Sequence, residues 1–269
     1  MHNRNTSASG RIWYDSGHAS LCLLGVKLSR MGLFKPLEVH VKIEQKVLKY
    51  TPVQKLEMFL VAVLAGAKAV SHMTTTVRLD PALISAFGLP GCADQSSIAQ
   101  TLNAATEQDV ADLQAALGEL FGSYSQAQRH DFTHEMLVLD VDLSPLPASS
   151  AAEGSERGYM GRCRSKTGRK LVRVRAADTQ EIVWETVIAG RRVESLPVLQ
   201  EAIYGMESRL GLSGEGADMV KKRGRTEIRL DSGWGSGPNI TWLLARGYQV
   251  TGKFKSAGRV RKLVRGIST

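Results

Sequence analysis

Cysteine is scarce. The 269 residues hold three, Cys22, Cys92 and Cys163, in no CxxC spacing. An odd, scattered set excludes a disulfide framework and a structural zinc site, and reads as the reduced thiols of a cytoplasmic protein. Long apolar runs are missing too: Met58 to Ala67 is the longest, about half of what a membrane span requires, so no membrane partner is expected. The first 17 residues lack the apolar core of a secretory signal. The remaining scarcity is local. Ser232 to Thr269 contains no Asp or Glu, yet carries Arg246, Lys253, Lys255, Arg259, Lys262 and Arg265.

That basic stretch belongs to a wider asymmetry. The net charge is +9, and residues 131–269 carry 23 Lys and Arg against 16 Asp and Glu, whereas residues 1–130 carry 12 against 10. A basic C-terminal half points to a polyanionic partner, most simply nucleic acid, with a merely well-solvated basic surface as the alternative. His130 and His134 stand four apart but have no third ligand at a recognisable spacing, so they read as surface histidines.

The first half reads as helices. A helical pattern runs from Ala19 to about Met31. Thr51-Pro52-Val53-Gln54 has a capping residue, Pro at the first helical position and Gln at the third. The helix it opens is expected to bury Leu56, Phe59, Leu60, Val63 and Leu64. Asp80, Asp94 and Thr106 start three more helices, and the last carries Val110, Leu113, Leu117 and Phe121. The pair 81–88 and 95–104 admits a helix-turn-helix reading, with Ser96, Ser97, Gln100 and Asn103 facing DNA. Any small helical bundle has such helix pairs, and the connection here is longer than the usual three or four residues.

The second half reads as strands with interleaved helices. Met136 to Asp142, MLVLDVD, is an apolar run that gains an acid at alternate positions. Asp140 and Asp142 would share one strand face, where two carboxylates repel unless a cation sits between them. A solvated edge is the alternative. Val172, Val174 and Ala176 alternate with Arg173 and Arg175, a turn follows at Asp178-Thr179-Gln180, and Ile182 to Ile188 returns as a second strand. Leu196 to Leu210 is a helix closed by Gly211. A strand then runs into Asp231, followed by a helix from Pro238 to Arg246 and a strand from Tyr248 to Phe254. Asp231 is placed where a rigid strand opens into a Gly- and Ser-rich turn, as a metal ligand would be; the plainer reading is that it starts the turn. The order strand, strand, strand, helix, strand, helix, strand, with acids on the first and fourth strands, is that of a ribonuclease H-like domain. The expected fold is therefore α/β, with a helical N-terminal domain followed by an incomplete ribonuclease H-like domain built on a mixed five-stranded sheet.

Three stretches in this order, LVLDVDLSPLP, GYMGRCRSKTGRKLVRVRA and IRLDSGWGSGPNITWLLARGYQVTGK, resemble the DDE transposases of bacterial insertion sequences. The likeness is to the cut-and-paste group with a β insertion in the catalytic domain, and it covers about residues 130–269. Residues 1–17 are polar and expected to be a disordered tail, and the resemblance implies a helical DNA-binding or accessory domain over 18–130 and a catalytic domain over 131–269. It also implies Mg2+ or Mn2+, double-stranded DNA at transposon ends as partner, and a homodimer as one compatible assembly. DNA cleavage and strand transfer would proceed at two metal ions, which suit hard oxygen ligands and phosphodiester attack. By position the metal-binding acids are Asp142 and Asp231. Asp142 is favoured because the Asp-Leu-Ser at 142–144 matches the family's acid, small residue and hydroxyl, with Asp140 as the alternative first acid or a helper. Arg173, Arg175, Lys253, Lys255 and Arg259 are the expected DNA contacts. The family's third acid, a Glu after the β insertion, has no counterpart. The chain thus reads as a truncated transposase with, at best, weak activity. Two readings stand beside it: Glu201 or Glu207 supplies the third acid, or the protein is a non-catalytic DNA-binding protein such as a transposition repressor.

Overall fold

The computed structural model describes residues 5–6, 12–13, 15–46, 49–161 and 166–253. Cys163, Lys255, Arg259 and Phe254, the expected end of the last strand, lie outside the described residues. The chain divides into two compact units, Met1–Leu120 and Phe121–Thr269.

The first unit is helical apart from β1 (Asn5–Thr6) and β2 (Ile12–Trp13), which pair antiparallel. Its helices are α1 (Ala19–Arg30), α2 (Lys35–His40), α3 (Pro52–Leu64), α4 (Met73–Thr76), α5 (Pro81–Ala86), α6 (Gln95–Ala104) and α7 (Glu107–Tyr124), the last of which runs on past Leu120. The caps follow the sequence. Thr51 and Gln54 form the reciprocal capping box of α3, and the Asp80 and Asp94 carboxylates accept the backbone N–H groups of Leu83 and Ser97.

The buried face of α3 differs from the expected one. Val53, Met58, Val61 and Ala62 are buried, whereas Leu60, Val63 and Leu64 are exposed. Met58 to Ala67 is apolar all round, so its periodicity selects no face. The helix-turn-helix reading also meets an obstacle. The α5–α6 connection runs from Phe87 to Asp94, and the Ser96 and Ser97 hydroxyls both donate to the Asp94 carboxylate, at 2.6 and 3.1 Å. Both hydroxyls thus take part in the helix cap.

The second unit is a mixed sheet covered on one face by helices. Its strands are β3 (Leu137–Pro147), β4 (Glu156–Arg157), β5 (Thr167–Ala176), β6 (Ile182–Ala189), β7 (Thr226–Leu230) and β8 (Gln249–Gly252). Its helices are α8 (Leu196–Leu210), α9 (Ala217–Gly224) and α10 (Gly237–Ala245). β6, β5, β3, β7 and β8 lie side by side in that order; β5 runs antiparallel to β3 and β6, while β3, β7 and β8 are parallel. Numbered along the chain this is the order 3-2-1-4-5 of a ribonuclease H-like sheet. The expected five strands are six, because the two residues of β4, from the polar loop after β3, add to the edge of β5.

Alternation decides the faces. Leu137, Leu139 and Val141 of β3, Val172, Val174 and Ala176 of β5, and Ile228 and Leu230 of β7 are buried in one core with Leu199, Ile203 and Met206 of α8 and Leu243 of α10. The intervening residues (Asp140 and Asp142, Arg173 and Arg175, Glu227 and Arg229) occupy the opposite, open face. Among the described residues, no helix is long and apolar enough to cross a membrane.

Candidate active site

The parallel pairings of β3 with β7 and of β7 with β8 end at one level. Val141 is in register with Leu230, and Leu230 with Gly252. One residue further, the chain reaches Asp142, Asp231 and Lys253. By alternation both aspartates belong to the open face, and each is exposed. This is the carboxyl end of parallel strands, where ligands of open α/β sheets bind. The expectation that Asp142 ends its strand holds only toward β7: β3 continues to Pro147 against β5, with Asp142 opposite Arg173.

The two aspartates are held differently. Asp142 Oδ2 accepts the Ser144 hydroxyl at 2.5 Å, from two residues along the same face of the strand. Asp231 Oδ1 accepts the backbone N–H groups of Gly233 at 2.9 Å and Trp234 at 3.3 Å, so it does start the turn. Its Oδ2 enters none of these bonds. The turn-starting and ligand-binding roles are therefore compatible in one carboxylate.

Asp140 stands apart from both. Arg229 Nε donates to its Oδ1 at 2.7 Å and Arg175 donates to its Oδ2 at 3.2 Å. The Arg229 hydrogen bond, reinforced by Arg175, holds its carboxyl below the usual range. Both oxygens are engaged by cations. Of the other expected DNA contacts, Arg173 pairs with Glu185 at 3.1 Å, and Arg175 also reaches Gln180. Lys253 is exposed beside the strand ends, its backbone N–H donating to Leu230 O at 3.3 Å.

Neither reserve acid reaches this place. Glu201 pairs with Arg192 at 3.4 Å. Glu207 is 1% exposed and accepts from Arg246 Nε and an Arg246 terminal nitrogen, at 2.6 and 2.5 Å, and from the Tyr248 hydroxyl at 2.7 Å, with Arg223 3.5 Å away. Burial, then the Glu207 charge, pushes the Tyr248 hydroxyl's pKa up.

An acid that sequence reasoning passed over does come close. A Cβ on Gly233 would stand 2.6 Å from Glu194 Oε1 and 3.1 Å from Asp231 Oδ1. The two carboxylate oxygens are thus closer together than the sum of those distances, and a side chain at position 233 would displace the Glu194 carboxylate. Glu194 lies in the loop before α8, with nothing in its local pattern to mark it. Among the described residues, no ion pair engages Asp142, Asp231 or Glu194, and no group of three His, Cys, Asp or Glu side chains is arranged to hold a metal. The donor chemistry itself is hard carboxylate oxygen, which fits Mg2+ or Mn2+.

No protein-family model matches the chain, and no curated protein does. Similar solved structures include a piggyBac transposase synaptic complex with hairpin DNA, at 16% identity and a TM-score of 0.45, covering 88% of this chain and 52% of that one. A Mos1 transposase paired-end complex with left transposon end has 10% identity and a TM-score of 0.28, covering 88% and 77%. A Mos1 mariner paired end complex with Mn has 10% identity and a TM-score of 0.28, covering 88% and 78%. The chain spans about half the length of the piggyBac transposase that it matches. The fold assignment rests on the strand order, independently of these likenesses.

Proposed function

We propose that this protein is a DDE-type transposase of the insertion-sequence kind, in which residues 131–269 act on the phosphodiester and residues 18–130 assist in binding DNA. Its partner is double-stranded DNA at transposon ends, and a homodimer is the simplest assembly for pairing two ends. The observation that carries the reading is the adjacency of Asp142 and Asp231 at the strand ends, with no arginine among the described residues engaging either. Asp140, two residues away on the same face, is assigned to holding β3, β5 and β7 in register through its two arginines.

Asp142 and Asp231 would hold the divalent ion, with Ser144 and the Gly233–Trp234 backbone orienting their carboxylates. A bound divalent ion supplies charge stabilisation to a phosphodiester and acidifies water. Lys253, next to Asp231 across the strand ends, is placed to meet a DNA phosphate. Arg173 and Arg175 meet DNA with part of their charge already answered by Glu185 and Asp140.

The test is a nicking assay on supercoiled plasmid carrying candidate ends, with Mg2+ or Mn2+. The reading expects metal-dependent nicking. Loss of nicking in Asp142→Asn and Asp231→Asn, but not in Glu201→Ala or Glu207→Gln at a temperature where each variant is folded, supports it. Nicking that survives both aspartate substitutions sinks it.

A further inference from the structure

At the far end of β3 and β5 from the aspartates lies a groove of about 620 Å³, lined chiefly by Ser149, Ser150, Arg157, Lys166 and Thr167. Its floor is rigid. The Thr167 hydroxyl donates to Ala148 O at 2.9 Å, and the Ala148 N–H donates to Thr167 O at 3.2 Å. Gly168 brings β5 so close to β3 that a Cβ there would collide with the Leu146 carbonyl oxygen. The backbone can therefore neither widen nor slip without breaking the β3–β5 ladder.

The charges differ from those nearer the aspartates. Arg173 and Arg175 are answered by Glu185 and Asp140. Among the described residues, Arg157 and Lys166 have no acidic partner, and no acid lines the groove. Glu156, the neighbour of Arg157, accepts the backbone N–H of Arg191 at 3.0 Å. Two cations and two serine hydroxyls around a fixed floor match phosphate oxygens, the guanidinium by its fork and the ammonium as a point charge. The lining has no aromatic ring on which a base could stack. A phosphodiester backbone fits these walls, whereas a nucleotide's base would find no surface.

We infer that this groove is a second DNA contact, gripping a backbone phosphate of the duplex whose scissile phosphate lies at Asp142 and Asp231; this rests on the function proposed above. Asp142 and Pro147 are five residues apart along β3, about 17 Å at the rise of a strand. That is about five base pairs of duplex. The groove therefore sets how the duplex lies along the sheet and does no chemistry.

The test uses the full 269-residue chain and a fluorescent duplex of about 20 base pairs and arbitrary sequence, with binding measured across a salt titration. A parallel titration uses inorganic phosphate, followed by 31P line broadening. The double variant Arg157→Gln/Lys166→Gln should weaken duplex binding about tenfold at low salt and reduce the salt slope by about two, with melting unchanged. Lys221→Ala, which removes another exposed cation of the same unit, should change both far less. A double variant that binds duplex like the parent overturns the inference, as does a parent chain that binds no duplex. Phosphate binding lost in the double variant, with duplex binding intact, marks a free-phosphate site and also overturns it. If the parent does not nick while the groove variant still loses duplex binding, the catalytic reading falls and the groove stands.

Discussion

The interior of the sheet unit and its open face treat carboxylates in opposite ways. Inside, Glu207 is a single buried acid surrounded by Arg223, Arg246 and Tyr248, and both its oxygens are bonded. On the open face, Asp140 receives similar treatment from Arg175 and Arg229, but among the described residues no cation pairs with Asp142 or Asp231 at the strand ends, or with Glu194 beside Asp231. A buried charge needs its partners built in, because desolvation is costly. An exposed acid can wait for a cation from solution. The difference separates carboxylates that hold the fold from those available to a ligand.

Breaking the interior cluster should have the largest effect on stability. Glu207→Gln leaves two arginines without their charge partner and should cost about 3–5 kcal/mol, read as a lowered urea midpoint. A loss below about 1 kcal/mol would mean that solvent reaches the cluster, and the contrast with the open face would weaken.

The helical unit supplies a third case. Glu57 of α3 is 8% exposed, and burial, reinforced by the Glu38 charge, raises its pKa to about 7. Its folded pKa exceeds the unfolded value near 4.5, so its contribution is fully present below that value and is lost as pH rises toward 7. The unit should therefore lose about 2 kcal/mol of stability over that window. Glu57→Gln should flatten the slope in urea melts from pH 4.5 to 7. An unchanged slope would show that Glu57 is ionised in the folded state.

A smaller effect is expected at Asp140. Replacing it by Asn keeps the shape but removes the charge that Arg175 and Arg229 share, at a cost of about 1 kcal/mol on this partly solvated face. Its pKa is depressed in the fold, so the ion pairs contribute above the ordinary carboxylate range and fade as pH falls through the folded value. The difference between parent and Asp140→Asn should thus shrink in acid. A pH-independent difference would assign the loss to packing.

Much of this contrast was legible in the sequence. The alternation of Val172, Arg173, Val174 and Arg175 gave the strand and its two faces, the caps at Thr51, Asp80 and Asp94 gave helix starts, and Gly211 gave the end of α8. Asp142 and Asp231 stood out by their place at strand ends. Alternation alone could not tell Asp140 from Asp142, since residues two apart share a face; the register with Arg175 and Arg229 separates them. Glu194 meets Asp231 through a close approach at Gly233 that no local pattern encodes. The polar helix α9 and the two residues of β4 lacked apolar periodicity to mark them. In α3 there was too much: apolar residues on every side hid the buried face.

The central claim is that Asp142 and Asp231, and not Asp140, are the acids available to a divalent ion. Mn2+ binding to the purified chain, followed by electron paramagnetic resonance, tests it without relying on catalysis. The parent and Asp140→Asn should bind one ion with similar affinity, while Asp142→Asn and Asp231→Asn should each weaken binding at least about tenfold, the loss of one charged ligand. Binding that disappears in Asp140→Asn and persists in the other two would contradict the account.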